Sequence, residues 1–329
     1  MALEELKNKE YDEVWNYPGL ILVGLGGSHS YGTNIATSDI DLRGIFLNSP
    51  DELIGISKDR EQKVFGQTDT VLYSLRKFAK LAADCNPNVI EMLGLRRQDY
   101  VVITDVGEKL VKNRHLFLSK RAVYTFGGYA KSQLNRLINK KGRTQDDLND
   151  MECRSIQKLM DGFAFRYKDV LSDDFSAELN ENNEIICNMT FRGMELSRII
   201  GMNNELINVD KDYRKSTRND KAEAHGKIAK HMMHLLRLYM MGMDILNVGE
   251  INTYRYDEHD LLMAIRNGEF LEEDGCTPTK EFNILLDYYS SEFEIAAKNT
   301  LLPDEPDWGG INRLLMEINR NVLLEEVVS

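Results

Sequence analysis

The chain has 329 residues, 42% apolar and 29% charged, with a formal net charge of −12. That length suits two packed cores, and no run of about 18 apolar residues is present to span a membrane. The charged, mixed first ten residues lack the layout of a secretory signal, and the four cysteines (Cys85, Cys153, Cys187, Cys276) form no C-x-x-C pair, so reduced thiols in a cytoplasmic protein are expected.

In chain order, 20–23 is a short apolar run between Gly19 and Gly24, which predicts a buried strand entering a turn. Residues 40–47 alternate apolar and polar at their start and predict a second strand; 69–73 is short and β-branched and predicts a third. Leu75, Phe78, Ala79 and Ala82 recur at helical spacing, Asn86-Pro87-Asn88 breaks that helix, and 89–95 reads as another short one. Past about residue 115 strand signals fade. Helices are expected over 116–139, 147–171, 194–201, 221–241, 258–268, 278–299 and 308–324, with the polar, acidic 172–188 as a hairpin or loop. The expected fold class is therefore α+β: residues 1–115 form a small mixed sheet with helices, and 116–329 a mostly helical domain covering the cleft.

The chemistry is concentrated in 26–44. A Gly26-Gly27-Ser28 turn follows the first strand; ten residues later comes Asp39-Ile40-Asp41, at the head of the second. Strand geometry puts Asp39 and Asp41 on one face, about 7 Å apart, while Ile40 and Leu42 enter the core. Two carboxylates so placed repel each other unless a cation lies between them, and hard oxygen donors suit Mg²⁺ or Mn²⁺. Glycines let the backbone approach a triphosphate, and free amides with the Ser28 hydroxyl offer donors to its oxygens. A lone Asp-x-Asp is usually a surface turn and a lone Gly-Gly-Ser only a turn; the two in this order, each beside a strand, are a far more specific signal.

Gly-Ser, about ten residues and Asp-x-Asp resembles the signature of DNA polymerase β-type nucleotidyltransferases. The longer form, Gly27-Ser28-His29-Ser30-Tyr31-Gly32-Thr33 through Ser38-Asp39-Ile40-Asp41-Leu42-Arg43-Gly44, resembles the nucleotidyltransferases of RNA-repair gene clusters. The likeness continues in Asn86-Pro87-Asn88 to Glu91-Met92-Leu93, in Lys230, His231, His234 and Arg237, and in Arg266-Asn267-Gly268-Glu269. It implies transfer of a nucleoside monophosphate from an NTP to an acceptor hydroxyl, with release of pyrophosphate. It also implies a third acid on a neighbouring strand, completing the metal site and helping to deprotonate the acceptor. Asp69 is the candidate, with Glu61 and Glu91 as rivals; Glu91 reads better as a helix-capping or supporting group. Asp39, Asp41 and Asp69 are thus the expected catalytic residues and metal ligands, for Mg²⁺ or Mn²⁺. A phosphohydrolase of the haloacid-dehalogenase type also uses Asp-x-Asp, but it has Thr or Val where Arg43 stands and no use for the Gly-Ser turn. A non-catalytic nucleotide-binding module is the remaining rival.

The expected substrate-binding set is Gly27, Ser28, Tyr31, Arg43, Lys230, His234 and Arg237. Tyr31 either stacks on a base or packs under the turn, Arg43 is an electrostatic partner of the acids, and His29 is an exposed loop residue. Lys230, His231, His234 and Arg237 share a helix face; His231 and His234 lack a third metal ligand, so packing or hydrogen bonding is their expected role. In an acidic chain, any RNA acceptor needs a local basic surface. The 211–230 run supplies the best one: Lys211, Arg214, Lys215, Arg218, Lys221, Lys227 and Lys230 against Asp212, Asp220 and Glu223. The alternative is a solvated helix face, with a protein or small molecule as acceptor.

Overall fold

The computed structural model describes residues 6, 9–140, 156–157, 159–172, 175–180, 184–220, 224–275 and 277–328; within these, the side chains of 135–140, 212–220, 224–227 and 325–328 are not described. Cys153 and Cys276 lie outside the described residues. Cys85 and Cys187 are free thiols.

Five strands form one mixed sheet: β1 (Leu20–Leu25), β2 (Leu42–Phe46), β3 (Gln62–Phe65), β4 (Thr70–Ser74) and β5 (Tyr100–Ile103), in the spatial order β3-β4-β2-β1-β5. β1 is antiparallel to β2 and β5, and β3 to β4, whereas β2 and β4 run parallel. Burial follows sheet position. β1 and β2 are central and almost continuously apolar, whereas the edge strand β3 is mostly exposed. Val23, Leu25, Leu42, Phe46 and Leu72 bury one core against Leu6 and Tyr11, with Ile40, Trp15 and Tyr17 packed around it.

The helices preceding and surrounding the sheet are α1 (Asp12–Trp15), α2 (Gly27–Tyr31), α3 (Pro50–Ile54), α4 (Leu75–Ala83), α5 (Pro87–Ile90) and α6 (Asp105–Lys112). The expected helix over 89–95 is instead α5, begun by Pro87 behind its Asn86 cap, and a single 3₁₀ turn over Glu91–Leu93. Then come α7 (Arg121–Lys140), α8 (Ala164–Tyr167), α9 (Leu196–Asp220), α10 (Ala224–Val248), α11 (His259–Arg266), α12 (Lys280–Asn299) and α13 (Trp308–Val328). Among the described residues no helix is long and apolar enough to cross a membrane.

The chain divides into two compact units, and the division is not at residue 115. One unit comprises Met1–Asn139 and Ala229–Ser329; the other is Lys140–Ile228. The sheet therefore shares its unit with α7 and α11–α13, and with most of α10. The reason is packing. α10 is buried on several sides, through Met232, Met233, Leu235, Leu236, Met240, Met241 and Ile245. A side chain at Gly242 would strike Phe293 of α12, so that ring fills the notch beside α10, with Phe126 of α7 next to it.

The second unit has its own small core of Phe163, Tyr167, Val170, Leu171 and Met202. Here the expected 172–188 hairpin forms as β6 (Ser176–Leu179) and β7 (Ile185–Asn188), paired antiparallel. The expected helix over 194–201 runs much further, as α9. Arg198 anchors the start of α9 through two 2.6 Å contacts to the Asp169 carboxylate.

Candidate active site

The glycine turn and the acids meet because β1 and β2 are antiparallel. The ladder pairs Leu25 with Leu42 and Gly24 with Arg43, and the Gly26 amide donates to the Asp41 carbonyl at 2.8 Å. The ten residues between Ser28 and Asp39 carry the chain through α2 and back to that pairing. Gly27 takes φ +55° as α2 begins and Gly32 takes φ +70° as it ends, both left-handed positions that favour glycine. Gly27 has a second reason to lack a side chain: a Cβ there would strike the Asp41 carboxylate. Ser28 is half-buried in the first turn of α2, and the Ser30 hydroxyl ties the turn by donating to the Gly27 carbonyl at 3.0 Å.

β2 begins at Leu42, so Asp39 and Asp41 lie in the segment leading into the strand, not within it. Ile40 packs against the core and Leu42 is fully buried, while Asp39 is exposed and Asp41 half-buried. Asp69 immediately precedes β4, whose parallel register sets Thr70 beside Leu42. It has φ +42°, and its carbonyl accepts from the Leu42 amide at 3.4 Å. Asp41 and Asp69 thus stand at the same end of adjacent parallel strands, Asp69 exposed and Asp41 half-buried. Burial pushes the Asp41 carboxyl above its ordinary value; Arg43 pulls it down, Asp69 pushes up, Lys230 pulls down and Asp39 pushes up.

That field joins all three aspartates to two cations, and three carboxylates of this kind have the hard-donor chemistry of a Mg²⁺ or Mn²⁺ site. As placed, among the described residues, no three Asp, Glu, His or Cys side chains close into an ion-sized ligand set. The rival Glu61 is exposed and pairs with Lys77 at 3.3 Å.

Beneath the turn lies a polar core. Tyr31 is 3% exposed: its hydroxyl donates to Glu91 Oε2 at 2.8 Å, and the Arg237 guanidinium sits 3.4 Å from its ring centroid. Of the two readings for Tyr31, packing under the turn is the one this burial matches, and no face of the ring is open to a base. Glu91, at the C-terminal cap of α5, is buried and turns its carboxylate to Tyr31; desolvation pushes its carboxyl up, against the opposing pull of Arg237. Arg237, also buried, is committed to internal contacts and donates to His234 Nδ1 at 3.0 Å. His234 sets its ring edge-on to Tyr129, and His231 donates to Gln133 Oε1 at 3.2 Å. On this helix face Lys230 is exposed. His29 is half-buried, not exposed, and its Nε2 is buried without a hydrogen-bond partner. In the basic run only Lys211 and Lys230 have described side chains; those of Arg214, Lys215, Arg218, Lys221 and Lys227 lie outside the described residues.

Residues 254–266 brace the loop, which sequence reasoning missed. A Cβ at Gly32 would strike the Tyr254 ring; His259 stacks on that ring and donates through Nε2 to the Gly32 carbonyl at 2.9 Å. Arg96 covers Tyr254 at 3.8 Å, and Arg266 donates to Ser38 Oγ at 3.1 Å. A cavity of about 610 Å³ adjoins Tyr254, lined also by Arg114, Asp244 and Tyr256; none of the three aspartates lines it. The only sequence signal for this brace was the Arg266-Asn267-Gly268 stretch, noted without a role.

The chain is similar to an uncharacterized 38.9 kDa protein in the nrdC-mobD intergenic region of Enterobacteria phage T4, 27% identical over 291 residues, which covers 75% of this chain and 84% of that protein. No solved structure matches. A family model described as "RlaP: RNA repair pathway DNA polymerase beta family" matches residues 1–317. The match takes in the glycine turn, the three aspartates and both compact units, and the chain belongs to the RNA repair pathway DNA polymerase beta family.

Proposed function

We propose that this protein transfers a nucleoside monophosphate from an NTP to an acceptor hydroxyl at an RNA end, releasing pyrophosphate. The observation that carries the reading is the Asp41 carboxylate set against Gly27 of the glycine turn, beside Asp69 on the adjacent parallel strand. In the reaction, the acceptor oxygen attacks the α-phosphorus as the bond to the β-phosphate breaks, and the hydroxyl proton passes to Asp69. Ser28 and the glycine amides hold the triphosphate, and Arg43 and Lys230 balance the charge of the acids. Asp39, Asp41 and Asp69 would hold Mg²⁺ or Mn²⁺, whose contribution is to neutralise charge on the attacking and leaving oxygens. Tyr31, Glu91 and Arg237 act from beneath, fixing the turn that carries Ser28. The RNA acceptor is supported by the family's description, and the basic run 211–230 is its proposed grip.

The test is substitution of the acids. Asp39→Asn and Asp41→Asn each abolish transfer of an α-labelled NTP while leaving circular dichroism and thermal unfolding near wild type. Turnover near wild type in either variant, with unchanged Mg²⁺ dependence, contradicts the assignment.

A further inference from the structure

Arg266 has no part in the reading above. It ends α11 and reaches the residue just before Asp39, its Nη2 donating to Ser38 Oγ at 3.1 Å. Its other two nitrogens, Nε and Nη1, are buried and have no hydrogen-bond partner; Arg43 Nε, on the strand that follows the acids, is buried and unpartnered too. Buried donors are almost always satisfied, and unpaired charged ones are the costliest exceptions. A guanidinium cannot escape by losing its proton. Both burial and the nearby Arg237 disfavour the charge on Arg266. Guanidinium donors that are buried and short of acceptors, next to the loop that carries the acids, are matched by a compact anion.

We propose that Arg266 binds the polyphosphate of the NTP, Nε and Nη1 donating to phosphate oxygens while Nη2 holds the Ser38 turn, with Arg43 as a second cationic contact. This rests on the nucleotidyl-transfer reading for the identity of the ligand. Charge density selects a polyphosphate over a polynucleotide. Arg237 lies in the field of Arg266, and Arg43 and Lys230 lie in that of Asp41. A triphosphate brings several negative charges to one point, whereas a nucleic-acid strand brings one per nucleotide.

The experiment is calorimetric titration of the full chain with inorganic tripolyphosphate in metal-free buffer, with a nucleoside monophosphate as control. Wild type binds tripolyphosphate, and R266Q weakens that binding about 10- to 100-fold, the weight of charge-assisted hydrogen bonds, with about threefold or less change for the monophosphate. Without ligand, R266Q raises Tm by about 2 °C, because an unpaired buried cation is removed. S38A, which removes only the link to the acid loop, keeps tripolyphosphate affinity within about threefold of wild type, well under the weight of a charge-assisted bond. The proposal is overturned by any of four results: no tripolyphosphate binding by wild type, an unchanged affinity in R266Q, a lowered Tm in R266Q, or an equal loss in S38A. A parallel titration with 5′-phosphorylated RNA in which R266Q loses affinity, while its tripolyphosphate affinity is unchanged, also overturns it and assigns Arg266 to RNA. None of these readouts needs turnover, so a failure of nucleotidyl transfer registers separately.

Discussion

Tyr31, Glu91 and Arg237 form a buried polar cluster under the glycine turn, and its weak point is the carboxylate. Glu91→Ala leaves the Tyr31 hydroxyl without its acceptor, a loss of about 1–3 kcal/mol in urea unfolding at neutral pH. The pH dependence has a definite sign. Burial raises the folded-state Glu91 carboxyl above its unfolded value, so folding favours the protonated form. Its stabilising contribution is complete below the unfolded carboxylate range, at about pH 4.3, and is lost as pH rises through the raised folded value. The stability of wild type relative to Glu91→Gln therefore falls as pH rises above about 4.3 in urea titrations; a gap that widens with pH contradicts this. On the solvent side of the same turn, Ser28→Ala lowers NTP affinity by about 5- to 10-fold, one hydrogen bond to a charged group, with little change in unfolding. That Asp39 and Asp41 lead into β2 and Asp69 into β4 was legible from the apolar and β-branched runs that follow them. Arg266 and Tyr254 were not: their partners, Ser38 and Gly32, lie more than 200 residues away in sequence, and no local spacing encodes such a contact.

The central strands were visible in different ways, β1 as a short apolar run between glycines and β2 as an apolar–polar alternation at its start. Edge strands lack that signal. Gln62–Phe65 is mostly exposed and Tyr100–Ile103 half-buried along its length, so neither shows an alternation. The start of β2 was placed two residues early, at Ile40, because the alternation of apolar and polar side chains begins before ladder pairing does. In α3 the capping box is complete: the Ser49 side chain accepts from the Glu52 amide, and the Ser49 amide donates to the Glu52 carboxylate at 2.9 Å. Arg60 also bonds Glu52, and its hydrogen bonds hold that carboxyl down at about 2. A depressed folded value gives stability that is present above the unfolded carboxylate range and lost as pH falls from about 4.3 toward about 2. Glu52→Gln accordingly costs about 1–2 kcal/mol at pH 7, and the gap to wild type shrinks as pH falls through that window. A gap that is constant down to pH 3 contradicts the pairing.

At the scale of the whole molecule, Lys140–Ile228 is inserted between two stretches that together build the other unit. An insertion does not show in hydrophobic periodicity, which reads helices but not which helices share a core; hence a single boundary was expected at residue 115. The basic run spans the end of the insertion, from Lys211 to Lys227, and ends at Lys230 in the unit that carries the aspartates. Neutralising Lys211, Arg214, Lys215 and Arg218 together weakens RNA binding and flattens its salt dependence by about one phosphate contact per residue removed, while pyrophosphate release without acceptor stays near wild type. Unchanged affinity and salt slope assign the run to solvent and favour a protein or small-molecule acceptor. The products formed from an α-labelled NTP with Mg²⁺ and an RNA bearing a free terminal hydroxyl separate nucleotidyl transfer from hydrolysis. Nucleotidyl transfer gives label joined to the RNA and an equal amount of pyrophosphate, both absent with Asp41→Asn; orthophosphate without label transfer contradicts this and makes the protein a phosphohydrolase.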